Sequence, residues 1–230
     1  MIVILGGTGL LGRELYKLDN SIYCTGRKVD ITNYKKLSEF LDSINPDVIV
    51  NAAAITDSIA VSKDVLPAIE VNIIGASNVA KYCVKHKKRL VYISTDYVYT
   101  GKGGHKESDA LHPHNDYAWT KLGGECSSRL VEDHCIIRTS FGSSKFPYTG
   151  GYTNLYTSKE YVDLVAPKIL RVINSQFKGI INIGGERKSL YRYAQERNTV
   201  NKIQLPISYD FSLNTLIYDK GFGTADMSNH

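Results

Sequence analysis

The chain has 230 residues, of which 43% are hydrophobic and 22% charged, a composition typical of a folded globular protein and not of a disordered one. Its formal net charge of +5 suits an anionic ligand, but the densest basic run, residues 85–89, is typical of a helix end, so nucleic acid is not an expected partner. No segment is long and apolar enough to predict a membrane span, and the four cysteines are too scattered for a zinc site or a disulfide framework.

Short apolar runs alternate with stretches of helical periodicity along the first 140 residues. The predicted strands cover residues 2–5, 22–25, 48–50, 90–93 and 135–137. The predicted helices cover residues 9–18, 34–44, 66–85 and 117–130. Strands that alternate with helices in this way are typical of a doubly wound parallel sheet. The sequence therefore predicts an α/β fold, with a Rossmann domain over residues 1–140.

The alternation weakens beyond residue 140. A loop rich in Gly, Tyr and Ser leads to a predicted helix over residues 161–174 and a predicted strand over residues 180–183. We expect residues 141–230 to form a small substrate-binding cap over the carboxyl ends of the strands, with some segments returning to the Rossmann core. Residues 224–230 are expected to fray.

Glycines recur at a spacing of three directly after the first predicted strand. Gly6, Gly9 and Gly12 fall between this strand and the following helix. In such a turn the backbone N–H groups can approach a pyrophosphate, and the helix N-terminus adds partial positive charge. The spacing alone is weak evidence, because glycines also serve ordinary tight turns. In this position it predicts a dinucleotide-binding site.

The end of the second predicted strand bears on the choice of cofactor. A carboxylate there would hold the ribose 2′-hydroxyl of NADH, whereas a cation would accommodate the 2′-phosphate of NADPH. The chain has Arg27 and Lys28 at this point, which favours NADPH over NADH. Asp30 follows, and two roles remain open for it: accepting a hydrogen bond from the adenine amino group, or capping the helix that starts near Asn33.

A hydroxyl-rich strand end and a later helix predict a proton-delivery centre. Thr95 lies where the fourth predicted strand ends, which is where open α/β sheets bind ligands. Tyr117 and Lys121 are separated by four residues and share one helical face. A nearby ammonium is expected to lower the pKa of the tyrosine and make it a usable acid. The three side chains are the predicted catalytic residues.

Six segments carry a resemblance to one known family: GGTGLLG at residues 6–12, DVIVNAAAIT at 47–56, VN at 71–72, STDYVY at 94–99, YAWTKLGGE at 117–125 and RTSF at 138–141. In these segments the chain resembles the extended short-chain dehydrogenase/reductases and, within them, the dTDP-4-dehydrorhamnose reductase (RmlD-like) family. Weaker similarity continues over residues 156–166, 179–194 and 212–215. The resemblance therefore spans nearly the whole chain.

The resemblance implies which residues contact the cofactor. The phosphates would meet Gly9, Leu10 and Leu11, the adenine would meet Asp30 and Ile31, and the ribose side would meet Ala54 and Thr56.

The resemblance also implies roles around the substrate. Tyr117 would protonate a keto oxygen as hydride arrives from the nicotinamide. Lys121 would bond the nicotinamide ribose and tune Tyr117. Thr95, Asp96 and Phe141 would bind the substrate. The stretch between Phe141 and Tyr156 is short for the family, so the cap lacks most of one helix.

The predicted function is NADPH-dependent reduction of a nucleotide-linked 4-keto-6-deoxy sugar, which would supply a deoxysugar for polysaccharide or glycan synthesis. Two alternatives remain open. One is a sugar-nucleotide epimerase or dehydratase that keeps a tightly bound NAD. The other is a non-catalytic, NADP-binding regulatory subunit of another enzyme.

Three further expectations concern surroundings and partners. The apolar start of the chain is too short for a signal peptide and runs directly into glycines, which favours the cytoplasm. The six histidines have no metal-ligand spacing, so no catalytic metal is expected. The family resemblance implies a homodimer as a possible assembly.

Overall fold

The computed structural model describes residues 1–26 and 28–222. Its strands are β1 (Ile2–Leu5), β2 (Tyr23–Cys24), β3 (Val48–Asn51), β4 (Arg89–Thr95), β5 (His134–Thr139), β6 (Phe141–Gly142), β7 (Gly150–Tyr152), β8 (Leu155–Thr157), β9 (Glu160–Tyr161), β10 (Gly179–Ile183), β11 (Lys188–Ser189), β12 (Asn201–Ile203) and β13 (Tyr209–Asp210). Its helices are α1 (Leu10–Leu18), α2 (Tyr34–Ile44), α3 (Ser58–Lys63), α4 (Leu66–Ala68), α5 (Ala76–His86), α6 (Asp116–Ser128), α7 (Val162–Ile173), α8 (Leu190–Gln195) and α9 (Leu216–Phe222). A π-helix (Ile69–Gly75) and a 3₁₀-helix (Asp96–Val98) complete these elements.

A six-stranded parallel sheet forms the centre of the molecule, in the order β10-β5-β4-β3-β1-β2. The order reverses direction between β1 and β3, which is the switch point of a doubly wound sheet. The predicted α/β fold is confirmed. All six strands therefore point their carboxyl ends to the same edge. At this edge the glycine turn follows β1, Thr95 ends β4 and Ser140 follows β5.

Helices cover both faces of this sheet. On one face α1 contacts α7, and α7 contacts α9. On the other face α2 contacts α5, which in turn contacts α6. Because both faces are covered, strand residues of either orientation are buried: Ile4 packs with the α7 side and Leu5 with the α2 side.

The long helix predicted over residues 66–85 is interrupted. A short helix, α4, runs into the π-helical turn Ile69–Gly75 before α5 begins. The extra backbone residue in such a turn displaces side chains from the regular helical face. Asn72, at the centre of the turn, is consequently 1% exposed and points into the protein.

The region after residue 140 builds a small cap and also extends the core. Short strand pairs form the cap: β6 with β9, β7 with β12, and β8 between β11 and β13. In contrast, β10 pairs with β5 at the edge of the central sheet, and α7 packs against α1. Segments of residues 141–222 thus belong both to the cap and to the central sheet with its covering helices. The exact division of the chain at residue 140 stays a prediction. The expected fraying of residues 224–230 lies outside the described residues.

Candidate active site

The glycine turn adopts a conformation in which side chains would collide with backbone. Gly6 has a φ of 80°, and a Cβ atom there would lie 2.6 Å from the Ala53 nitrogen. A Cβ atom on Gly12 would lie 2.4 Å from the Gly7 Cα. Gly9 is the N-cap residue of α1 and has no side chain to accept a hydrogen bond. No capping side chain therefore pairs with the first N–H groups of this helix. The geometry fits an anionic group at the start of α1.

A cleft of about 550 Å³ extends from this turn along the carboxyl ends of the first strands. Five of the residues predicted to bind the cofactor line it: Gly6, Gly9, Asp30, Ile31 and Ala54. Its remaining lining includes Gly26, Val29 and Val71. A dinucleotide bound along this cleft would have its adenine end at Asp30 and Ile31.

Four of the other predicted cofactor residues are absent from the lining of the cleft, namely Leu10, Leu11, Lys28 and Thr56. Leu10 is 42% exposed, whereas the Leu11 side chain is in the core, so Leu11 can offer a ligand only its backbone. Lys28 and Thr56 are exposed. Arg27 lies outside the described residues, so its predicted contact with a 2′-phosphate stays a prediction.

Asp30 does not cap α2, which was one of the two roles predicted for it. Its Oδ1 atom accepts hydrogen bonds from the backbone N–H and the hydroxyl of Thr32, at 2.9 and 2.8 Å. Asn33 is the cap, because its side chain accepts from the Lys36 backbone N–H at 3.1 Å. Asp30 lines the cleft, and its adenine role stays a prediction.

Thr95 and Tyr117 meet at the carboxyl end of β4. Thr95 is the last residue of the strand. Helix α6, which carries Tyr117 and Lys121, begins after Asn115, whose side chain caps it by accepting from the Ala118 N–H at 2.8 Å. Burial raises the pKa of the Tyr117 phenol, the Asp96 carboxyl raises it further, and a hydrogen bond with Thr95 partly offsets both. Tyr117 therefore keeps its phenolic proton at neutral pH, and its raised pKa makes it a weaker acid than an exposed phenol.

Lys121 does not lower the pKa of Tyr117 as predicted. Its ammonium lies over the Tyr92 ring, 4.2 Å from the ring centre, and the Tyr92 hydroxyl donates to the Lys121 carbonyl at 3.0 Å. Burial lowers the pKa of Lys121 itself to about 7, against a smaller raising effect of Glu125. The i, i+4 spacing predicted a shared helical face, but burial is the largest influence on the pKa of this lysine.

Replacing Lys121 with methionine is expected to stabilise the fold, more at pH 7 than at pH 9. The folded pKa of Lys121 is depressed, so the wild-type protein loses stability as the pH falls from the unfolded pKa through the folded pKa. Two pH units within this window correspond to about 2 kcal/mol from one group. Urea unfolding of both proteins at both pH values measures the difference.

Lys81 provides the matched control for this experiment. It also lies over a tyrosine ring, that of Tyr34 at 4.4 Å, but it is exposed to solvent. The Lys81→Met variant should therefore show the same small change at both pH values. An equal gain at pH 7 and pH 9 for Lys121→Met would contradict the expected depressed pKa.

Asn72 joins the cleft to the helix that carries Tyr117. Its Oδ1 atom accepts from the Ile55 N–H at 2.8 Å, and its Nδ2 atom donates to the Ile55 carbonyl and to the Thr120 hydroxyl, both at 2.9 Å. Gly124 makes the approach of α6 possible, because a Cβ atom there would lie 2.4 Å from the Asn72 carbonyl oxygen. Sequence reasoning gave Asn72 no role, although VN and GG stand within the segments of resemblance.

A buried ion pair fixes α6 to the sheet. Arg138 on β5 donates to both oxygens of Glu125, at 2.5 and 3.2 Å, and the Ser94 hydroxyl donates to the same carboxylate at 2.9 Å. Arg138 also donates to the Tyr99 hydroxyl at 2.8 Å, and that hydroxyl donates to the Asn182 side chain at 2.9 Å. We call these five residues the Arg138 network. It holds the helix of Tyr117 and Lys121 in register with β4.

Aromatic side chains flank the strand end where Asp96 lies. The rings of Tyr97 and His114 are 4.9 Å apart, and His114 stacks on Phe211 at 4.5 Å. Phe141, predicted to approach the substrate, is half-buried and packs against the core beside α7. Nothing in the local sequence predicted the contribution of Phe211, which comes from a segment more than 90 positions away from His114.

Two findings bear on metals and membranes. Within residues 1–26 and 28–222, no group of three or more His, Cys, Asp or Glu side chains is placed to hold a metal ion. In the same part of the chain, every helix is too short or too polar to cross a membrane.

Comparison with known proteins gives a consistent set of relatives. The family described as "RmlD substrate binding domain" matches residues 1–171. A "dTDP-4-dehydrorhamnose reductase" of Aggregatibacter actinomycetemcomitans is 34% identical over 179 residues, which are 73% of this chain and 61% of the relative. The chain thus spans about six tenths of the length of this curated relative.

Two solved structures have closely similar folds. A hypothetical dTDP-4-dehydrorhamnose reductase from Sulfolobus tokodaii superposes with a TM-score of 0.86 at 28% identity, covering 97% of this chain and 95% of the other. A dTDP-4-dehydrorhamnose reductase from Bacillus anthracis, in complex with NADP, superposes with a TM-score of 0.86 at 24% identity, covering 96% and 91%. At 24% identity the second likeness concerns the fold alone.

Proposed function

This chain belongs to the RmlD substrate binding domain family, and we propose that it reduces a nucleotide-linked 4-keto-6-deoxy sugar with NADPH. The observation that carries the proposal is the meeting of Thr95 and Tyr117 at the same sheet edge as the glycine turn, with Lys121 one helical turn away. The name of the relative at 34% identity, "dTDP-4-dehydrorhamnose reductase", supports this substrate class.

The fit of the cleft supports a dinucleotide cofactor. Backbone N–H groups after Gly9 would hold the phosphates, and Gly6 and Gly12 keep the turn close to Ala53 and Gly7. Asp30 and Ile31 would hold the adenine, and Ala54 the ribose side. When bound, the nicotinamide supplies the hydride. The Bacillus anthracis neighbour was solved with NADP, and the cationic pair Arg27 and Lys28 favours the same cofactor.

The chain's own residues supply the proton. Tyr117 would donate its phenolic proton to the keto oxygen, and the Thr95 hydroxyl would turn from Asp96 Oδ1 to donate to the same oxygen. A buried phenol with a raised pKa is a weak acid, so proton donation follows charge development on the oxygen. A positive charge on Lys121 would stabilise the phenolate that remains. Asn72 and the Arg138 network keep these side chains in position.

The test is a screen of dTDP-, UDP- and GDP-linked 4-keto-6-deoxy sugars, with NADPH and NADH oxidation followed separately. We expect turnover with at least one of these sugars and a higher kcat/KM with NADPH. Absence of turnover with every sugar and both cofactors would overturn the proposed reductase.

The same screen distinguishes the two alternatives. An epimerase or dehydratase would convert the sugar with no net oxidation of NADPH and would retain NAD through purification. A regulatory subunit would be inactive on every sugar and would co-purify with another enzyme. Retention of Thr95, Tyr117 and Lys121 at one edge of the sheet favours catalysis.

We also propose a homodimer located in the cytoplasm. Three exposed apolar side chains support an interface on one side of the molecule: Ile59 (70% exposed), Leu66 (67%) and Trp119 (56%). They lie on α3, α4 and α6, and α3 contacts both other helices. Sedimentation equilibrium of the wild type and of Trp119→Glu tests the dimer, and cell fractionation tests the location.

A further inference from the structure

The register of the central sheet places Asp96 and Ser140 side by side. Thr95, at the end of β4, pairs with Thr139, at the end of β5. Both strands are parallel, so the next residue of each leaves the sheet at the same edge. Asp96 and Ser140 therefore stand next to one another beside the proposed proton donor.

A cap segment brings a lysine to the same place. The Ser140 carbonyl accepts a hydrogen bond from the Glu160 N–H at 3.1 Å, and β6 pairs with β9 immediately afterwards. Lys159 precedes Glu160, and its own N–H donates to the Thr157 hydroxyl at 3.0 Å. A Cβ atom on Gly142 would lie 3.3 Å from the Lys159 Cε atom. The aliphatic part of the Lys159 side chain thus passes over Gly142, next to the carboxyl end of β5.

Asp96 is buried with one oxygen unpaired. Its side chain is 1% exposed, and Oδ1 accepts from the Thr95 hydroxyl at 3.2 Å. Oδ2 has no hydrogen-bond partner among the described residues. Burial raises the pKa of Asp96 to about 7, against the lowering effects of the Lys159 charge and of the Thr95 and Ser140 hydroxyls. An orphaned carboxyl oxygen at this depth calls for a donor.

Lys159 is the complementary group. Burial lowers the pKa of Lys159, and the Asp96 charge opposes this change. Asp96 acts on Lys159 through its charge, without a direct hydrogen bond between them. The Asp96 charge also raises the pKa of the Tyr97 and Tyr117 phenols. The Glu160 carboxylate instead faces Lys188, at 3.5 Å.

We propose that Lys159 is a specificity-determining residue that binds the 3-hydroxyl of the keto sugar together with Asp96, which the family resemblance already implies as a substrate contact. A hydroxyl donates one hydrogen bond and accepts others, so it can donate to Asp96 Oδ2 and accept from the Lys159 ammonium at once. In a 4-keto-6-deoxy sugar, the 3-hydroxyl is the only hydroxyl on a carbon next to the carbonyl. Thr95 links the proposed 3-hydroxyl site to the proposed proton donor, because it contacts both Asp96 and Tyr117.

This inference rests on the proposed reductase function and adds a requirement to it. A ligand that lacks the 3-hydroxyl would leave Asp96 Oδ2 and the Lys159 ammonium without their shared partner. Each unpaired buried polar group weakens binding by about 10- to 100-fold. The enzyme should therefore discriminate strongly against 3-deoxy sugars.

The experiment compares two substrates in several proteins. The substrates are a nucleotide-linked 4-keto-6-deoxy sugar and its 3-deoxy analogue, and the proteins are the wild type, Lys159→Met and Lys159→Gln. We expect the wild type to prefer the hydroxylated sugar by about 10- to 100-fold in kcat/KM. In Lys159→Met the preference should fall several-fold, because the hydroxylated sugar loses its Lys159 contact, while Asp96 still favours the 3-hydroxyl. Lys145→Met, an exposed lysine of the same cap, should keep the wild-type preference.

A binding measurement separates this inference from the reaction itself. Titration calorimetry with the reduced sugar nucleotide and its 3-deoxy form should give the same preference without turnover, and Lys159→Met should reduce it several-fold. If the wild type reduces the sugar but Lys159→Met and Lys159→Gln keep the preference, the inference is overturned and the reductase function stands. If the wild type neither binds nor reduces any keto sugar, both are overturned.

Discussion

Replacing Tyr117 with phenylalanine is expected to lower kcat by about 10²–10⁴-fold while NADPH binding is retained. The variant removes the phenolic proton that lies in contact with Thr95 at the end of β4, and general acid catalysis by one positioned group contributes a factor of this size. The ring remains, so packing against the surrounding residues is preserved. Single-turnover kinetics with NADPH and the keto sugar measure the chemical step, and fluorescence titration measures the cofactor.

Tyr82 provides the control for loss of a buried phenol. Its hydroxyl donates to Asp42 at 2.9 Å on the opposite side of α5 from the site, and it is 1% exposed. Tyr82→Phe should reduce stability slightly and leave kcat unchanged. Turnover of Tyr117→Phe at the wild-type rate would remove the acid role from Tyr117 and with it the proposed mechanism.

Removing one partner of the Glu125–Arg138 pair is expected to cost about 3–5 kcal/mol of unfolding free energy. Glu125 is 0% exposed and Arg138 is 1% exposed, so Arg138→Met would leave a carboxylate buried without its cation. The effect should appear as a lower midpoint in urea unfolding. Because α6 carries Tyr117, the residual folded protein should also lose activity.

A surface pair and a double variant test the origin of this effect. Arg197 forms a two-pronged pair with Asp163, at 2.9 and 2.7 Å, but both side chains are partly exposed. Arg197→Met is expected to cost about 0–1 kcal/mol. Combining Arg138→Met with Glu125→Leu should recover part of the loss, because the stranded charge is then gone. Equal losses in the two arginine variants would contradict a penalty that arises from burial.

Periodicity predicted the sheet because apolar runs in a covered parallel strand leave a clear local signal. The predicted and observed bounds of α2 agree at Tyr34–Ile44. The π-helix at Ile69–Gly75 was not predicted, since its residues keep an ordinary helical composition and the extra backbone residue has no local signature. Helix α3 was also missed, although Asp57 caps it by accepting from the Ile59 and Ala60 N–H groups.

The candidate site divides in the same way into local and long-range parts. The i, i+4 spacing of Tyr117 and Lys121 follows from helix geometry, so the shared face could be predicted. The charge interaction of Asp96 with Lys159 depends on the pairing of Thr95 with Thr139 and on the return of the chain to Ser140. Such contacts follow from register between distant segments, which no short window of sequence contains.

The position of Asn182 in the Arg138 network has a consequence for synthesis of the chain. Its side chain accepts from Tyr99 and donates to the His105 carbonyl at 2.9 Å, and β10 around it covers the outer edge of β5. A nascent chain that ends before residue 183 therefore leaves β5 as an open strand edge. The helix that carries Tyr117, the proposed proton donor, is synthesised before β10, so we expect ribosome-bound chains that end before residue 183 to expose the edge of β5 to pairing with other chains.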